Sequence, residues 1–167
     1  MDNLEMDYEH ILSENFQNLE QVALEEKIKY INAKPFPNIT LTNFFEDNFL
    51  NKILEEFPNL SKLQGSQIYK EKNEIKLSNK DYSEFPNNIK KFIDFLNSAI
   101  FLEFLQNLTS IKEKLVSDPL LEGGGLHEIK RGGVLKIHTD FNRHPSLDLD
   151  RRINVLIYLN KNWKDSY

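Results

Sequence analysis

The residues able to do chemistry crowd into one stretch of the chain. Three of the four histidines (His127, His138 and His144) and all four arginines (Arg131, Arg143, Arg151 and Arg152) lie between positions 127 and 152. Five of the six glycines lie between Gly123 and Gly133. The 127–152 window holds six Lys/Arg cations against four carboxylates, a local +2, which leaves −7 on the remainder of a chain of formal net charge −5. Within it, His138 and Asp140 are two apart. On a strand that spacing sets an imidazole and a carboxylate side by side on one face. Neutral imidazole with carboxylate suits a divalent transition ion, and two histidines plus one carboxylate with open positions form the non-haem Fe(II) arrangement. The same triplet also fits a plain surface histidine–aspartate contact, and the spacing alone does not choose.

Positioning such a pair falls to the elements around it. Residues 9–34 read as a helix, with Leu12, Phe16, Leu19 and Ala23 on one face and Ser13 or Asp7 as the cap. Pro35 and Pro37 stop it. Asp47 is expected to cap a short helix through Phe57, burying Phe49, Leu50, Ile53, Leu54 and Phe57, with Pro58 as terminator. Residues 66–77 alternate loosely and fit a hairpin around Lys72-Asn73. Pro86 opens a long apolar stripe running from Ile89 to Leu108, with a break at Asn97-Ser98.

After Asp118-Pro119 the hydrophobic period changes from 3.6 to 2. Residues 126–130 read as a strand, Arg131-Gly132-Gly133 as a turn, 134–138 as a strand and 141–150 as a polar loop. Residues 153–160 are the clearest strand pattern, with Ile153, Val155, Ile157 and Leu159 on one face and Asn154, Leu156 and Tyr158 on the other. Helices followed by a sheet imply an α+β protein with helices backing one face.

Bulk properties set the outer limits. At 167 residues and 40 % hydrophobic content the expectation is a single packed domain rather than a disordered chain. A pI near 5.4 argues against nucleic acid as a partner, since phosphate binding needs clustered cations. The chain has no cysteine, so disulfides, thiolate metal sites and cysteine nucleophiles are excluded. No apolar run reaches the roughly 18 residues of a membrane span, and the N-terminus lacks a signal peptide's basic and apolar regions. A cytoplasmic protein that does not enter membranes is expected.

Taken in order, Gly123-Gly124-Gly125-Leu126-His127, Gly132-Gly133-Val134-Leu135, His138-Thr139-Asp140 and Arg151-Arg152-Ile153-Asn154-Val155-Leu156-Ile157-Tyr158-Leu159-Asn160 resemble one family. It is the 2-oxoglutarate/Fe(II)-dependent dioxygenases, in the branch similar to prolyl 4-hydroxylases. The resemblance covers residues 121–163. It implies a double-stranded β-helix, a jelly-roll or cupin-like barrel, with residues 1–120 as mainly helical support and 121–167 as the first core strands. It implies a C–H hydroxylase using Fe(II), 2-oxoglutarate and O2, with ascorbate as iron reductant and a small-molecule or peptide substrate. His138 and Asp140 match the metal ligands, and Tyr158, His127 and Asn154 fall at cosubstrate-pocket positions. Arg151 and Arg152 are candidate substrate contacts.

The family's third ligand, a histidine some 50–60 residues beyond the H-x-D triplet, and the arginine or lysine after it have no counterpart before Tyr167. The chain therefore reads as the N-terminal part of such an enzyme, inactive by itself. His144 would have to fold back to replace the missing histidine. The rival expectation is a non-catalytic, cupin-like binding domain.

Overall fold

The computed structural model describes residues 8, 10–71, 74–133, 138–162 and 164. They divide into two compact units: Met1–Phe57 with Pro86–Pro119, and Pro58–Phe85 with Leu120–Tyr167. The first is helical and the second carries a small sheet, so the chain is α+β.

In the helical unit, α1 spans Leu19–Asn32. It starts ten residues later than the sequence pattern implies, because the chain at residues 11–13 bonds to a distant segment instead of continuing a helix. The Ser13 N–H donates to the Phe44 carbonyl (3.1 Å), Glu46 N–H donates to the Ile11 carbonyl (2.9 Å), and Leu12 pairs with Phe45. Ser13 Oγ donates to the Asn43 carbonyl instead of capping a helix, and a short 3-10 turn, Glu14–Phe16, follows. Asn18 is the cap of α1, its Oδ1 accepting from Gln21 N–H at 3.0 Å. This satisfies one of the orphan donors of the first turn. Asp7 lies outside the described residues.

Helix α2 runs Asp47–Glu56 with Glu46 at the cap position, so Asp47 is the first helical residue and not the cap. Of the expected apolar face, Ile53 is fully buried while Leu54 is exposed. Helices α3 (Asn87–Leu96) and α4 (Ala99–Thr109) divide the long stripe at Asn97-Ser98. There Asn97 Nδ2 donates to the Ile93 carbonyl and Ser98 Oγ accepts from Phe101 N–H. Glu56 at the end of α2 receives both the backbone N–H and the Nδ2 of Asn88 at the start of α3. A carboxylate there also suits the positive end of the helix dipole.

Aromatic rings fill this unit. Phe44 lies 4.9 Å from Phe16, 4.9 Å from Phe45 and 5.5 Å from Phe104, centroid to centroid, and Phe95 is fully buried against Tyr8 and Phe101. Such pairs add about 0.5–1.5 kcal/mol each beyond the area they bury.

The sheet unit is a three-stranded antiparallel sheet in the order β1-β2-β3. Strands β1 (Gln67–Glu71) and β2 (Glu74–Asn79) form the expected hairpin, and β3 (Leu126–Ile129) pairs with β2. Leu77 and Asn79 are buried on one face. Buried Asn79 is fully used: Nδ2 donates to the Gln64 carbonyl and Ser66 Oγ, and Oδ1 accepts from Asp81 N–H. Gly125 enters β3 at φ +96°, where an added Cβ would overlap the Asn79 carbonyl oxygen and lie 3.0 Å from Lys80 Cα.

Two strand expectations need revision. Residues 134–137 of the expected 134–138 strand lie outside the described residues, and His138 itself has no strand assignment. Residues 153–160, the clearest strand pattern in the sequence, form no ladder among the described residues. Alternation is a statement about faces; a strand also needs a backbone partner to accept its N–H groups. Leu156 is 66 % and Tyr158 80 % exposed, so the face expected to line a barrel interior meets solvent.

Two stability measurements check this account. Phe44→Ala is expected to cost about 3–5 kcal/mol in urea unfolding, as a buried ring lost from a tight cluster does. Gly125→Ala is expected to cost clearly more than Gly132→Ala. Both glycines have positive φ, worth roughly 1–3 kcal/mol of strain, but a Cβ at Gly132 meets nothing within 4 Å.

Candidate functional site

The site is assembled by a loop that folds back on itself. After Asp140 the chain turns out through residues 141–150 and returns: Arg151 N–H donates to the Asn142 carbonyl (2.8 Å) and His144 N–H to the Leu149 carbonyl (2.8 Å). Arg143 bridges to Asp150 through the backbone, and its guanidinium pairs with Asp148. This return brings Arg151 and Asn154 to the H-x-D triplet.

His138 Nε2 and Asp140 Oδ1 are 3.6 Å apart, with the two side chains 47 % and 42 % exposed. They converge without the strand expected there: residues 138–140 belong to no helix or strand. At 3.6 Å the contact is too long for a hydrogen bond. The second carboxylate oxygen is engaged: Asn154 Nδ2 donates to Asp140 Oδ2 at 2.6 Å, and Arg151 Nη2 lies 3.7 Å from the same atom. Arg151 also donates to Asn154 Oδ1 and lies over the Phe141 ring, 4.7 Å from its centroid. Gly123 makes room for that ring. At φ +72°, an added Cβ there would overlap Phe141 and come within 3.1 Å of Arg151 Nη1.

The other expected residues divide. His127 points from the outer face of β3 opposite Ser78, with Nε2 3.2 Å from the Gly124 carbonyl. Its imidazole is held below the ordinary value, first by desolvation, with Lys76 and Arg151 acting in the same direction and Asp140 and the Gly124 carbonyl opposing. Tyr158, expected at a cosubstrate position, has no hydrogen bond or ring contact to the pair among the described residues. Arg152 is exposed, whereas Arg151 is turned inward with 19 % of its side chain exposed. Arg151 is therefore tied to Asp140 rather than held out toward a substrate.

His144 does not fill the third-ligand position. Its Nδ1 accepts from both Ser146 N–H and Leu147 N–H, so the neutral ring carries its proton on Nε2 and has no lone pair left for a metal. No group of three or more His, Asp or Glu side chains able to hold a metal ion occurs among the described residues. A cleft of about 430 Å³ in the helical unit, lined by His10, Glu14, Glu46 and Lys52 among others, contains none of the expected site residues.

Sequence reasoning missed Phe141 and undervalued Arg151. The signal available was an aromatic directly after the triplet and an arginine ahead of Asn154, but their meeting depends on the loop closure. No protein-family model, curated protein or solved structure matches the chain. Among the described residues no helix is long and apolar enough to cross a membrane.

The lowered His127 value has a direction that can be measured. Its imidazole C–H signals are expected to titrate with a midpoint below about 6.5, the ordinary histidine value. As pH falls through 6.5 the unfolded chain protonates first, so the contribution of neutral His127 is lost between that value and the folded midpoint. By surface area the residue is exposed, so the slope is shallow. It should disappear in His127→Gln; a midpoint above 6.5 would contradict the assignment.

Proposed function

We propose that His138 and Asp140 form the protein half of a divalent-metal site in a 2-oxoglutarate/Fe(II) oxygenase of the prolyl 4-hydroxylase-like kind, one that hydroxylates a C–H bond of a small-molecule or peptide substrate. The observation that carries this reading is the convergence of Nε2 and Oδ1 to 3.6 Å with both side chains open to solvent. The donor set fits. With bonds of about 2.1 Å, donors at this separation subtend roughly 118° at a shared ion, and closing by about 0.6 Å gives the right angle of an octahedral site.

Iron bound there would supply O2-activating redox chemistry, with 2-oxoglutarate as cosubstrate and ascorbate as reductant. The chain's own residues hold and orient. His138 would offer Nε2 and Asp140 charge and one oxygen, while exposed Tyr158 would meet the cosubstrate and Arg152 the substrate. The double-stranded β-helix belongs to the same proposal. Residues 153–160 carry the alternating sequence of a barrel strand and would take up a ladder if flanked by partner strands. The third ligand, a second histidine some 50–60 residues further on, and the cationic anchor for 2-oxoglutarate have no counterpart in residues 1–167.

A second reading, a non-catalytic cupin-like binding domain, is favoured by one observation. Asp140 already has Asn154 and Arg151 as partners, so the cluster is complete electrostatically without a metal.

Calorimetric titration of Mn(II) as an Fe(II) surrogate separates the two. Binding by the wild-type chain that falls at least about tenfold in His138→Ala and in Asp140→Ala is expected, since each change removes a ligand. No wild-type binding at millimolar Mn(II) would leave the binding-domain reading. Succinate release with Fe(II), 2-oxoglutarate and ascorbate is expected to stay at background for residues 1–167. One missing charge-assisted partner costs about 1.5–3 kcal/mol, roughly 10–150-fold in affinity. Turnover that His138→Ala abolishes would require a third ligand within these residues.

A further inference from the structure

The two oxygens of Asp140 are not equivalent. Oδ1 faces His138, and Oδ2 is taken up by Asn154 Nδ2 with Arg151 Nη2 beside it. The Asn154 carboxamide can sit only one way. Arg151 has donors and no acceptor, an ionised Asp140 has acceptors and no donor, so the amide oxygen must meet the guanidinium and the amide nitrogen the carboxylate. Arg151 is fixed in turn by the Phe141 ring beneath it, and that ring by the absence of a side chain at Gly123.

We infer that Arg151 and Asn154 are positioning residues that hold Asp140 Oδ2, so that a metal at the His138–Asp140 pair receives one carboxylate oxygen and not two. The inference rests on the metal-site reading and adds a specificity to it. Ca²⁺ readily takes carboxylates in bidentate fashion in large, flexible shells, whereas smaller transition ions with six ligands do well with one oxygen and a nitrogen. A carboxylate with one oxygen withheld therefore selects Mn(II) or Fe(II) over Ca(II). Partners that orient a metal ligand typically matter about 10–100-fold in metal affinity.

The test compares Mn(II) and Ca(II) binding to the full chain and to Asn154→Ala, Arg151→Met and Arg151→Lys, with circular dichroism confirming that each variant is folded. The expected result is a drop of about tenfold or more in Mn(II) affinity for Asn154→Ala and Arg151→Met, with a smaller drop or a gain for Ca(II), so that the Mn/Ca ratio falls. A merely structural loss would weaken both ions together. Arg151→Lys keeps the charge but not the planar fork that spans Asn154 and stacks on Phe141, and it should not restore the ratio. In the metal-free chain, the Asn154 side-chain amide signals should shift in both Asp140→Ala and Arg151→Met. An unchanged Mn/Ca ratio in Asn154→Ala, with His138→Ala still losing Mn(II), overturns the positioning role and leaves the metal site standing. Absence of wild-type Mn(II) binding overturns both.

Discussion

The hydrogen bond from Arg151 N–H to the Asn142 carbonyl, 2.8 Å long, is the contact on which the candidate site depends. It closes the base of the loop, and without that closure Asn154 would be fourteen residues along the chain from the carboxylate it contacts. Closing a loop of this size costs chain entropy, though the cost grows only slowly with length. Several local interactions offset it: the His144–Leu149 backbone bond, the Arg143–Asp150 bridge, the Arg143–Asp148 pair, and two N–H groups accepted by His144 Nδ1. His144 is thus a loop-closing residue. Its ring does for the turn what an Asx side chain often does, satisfying backbone donors that water would otherwise have to reach.

The helices were largely legible because their signals are local. The Asn97-Ser98 pair marks the α3–α4 break in the sequence, and in the structure Ser98 caps α4; the 66–77 alternation marks the β1–β2 hairpin. What was not legible is non-local. Leu12 sits at a helical spacing from Phe16, yet Ser13 N–H donates to Phe44 and the Ile11 carbonyl accepts from Glu46, more than thirty positions away, and α1 starts only at Leu19. For residues 153–160 the period-2 pattern reports which side chains turn inward. It says nothing about whether another backbone lies alongside.

The site was legible in its centre and not in its surroundings. A single residue, Thr139, separates the imidazole from the carboxylate, so His138 and Asp140 start close in the chain and meet even though no strand is assigned there. The glycines of the 123–125 run acquire separate reasons. Gly125 lets β3 approach the Asn79 carbonyl, and Gly123 admits the Phe141 ring. Neither reason involves a ligand. Arg151 was read as a candidate substrate contact because it is a cation near a metal motif, but a guanidinium stacked on a ring and bound to an amide is committed within the fold.

What aims Asn154 at Asp140 is the same alternation that misled the strand assignment. Arg151, Ile153, Ile157 and Leu159 are half-buried, while Asn154, Leu156 and Tyr158 face out, and Val155 breaks the pattern at 41 % exposed. Around Asn154 the alternation of burial holds without ladder bonds, with Ile153 turned in and Asn154 out. A slip by one position would turn Asn154 inward, bring Ile153 against an ionised carboxylate and leave Oδ2 without its donor. Desolvating that oxygen against an apolar side chain is unfavourable. The Asp140–Asn154 bond and the burial of Ile153 therefore enforce the same register, and a polar contact at the surface becomes part of what holds an unpaired strand in place.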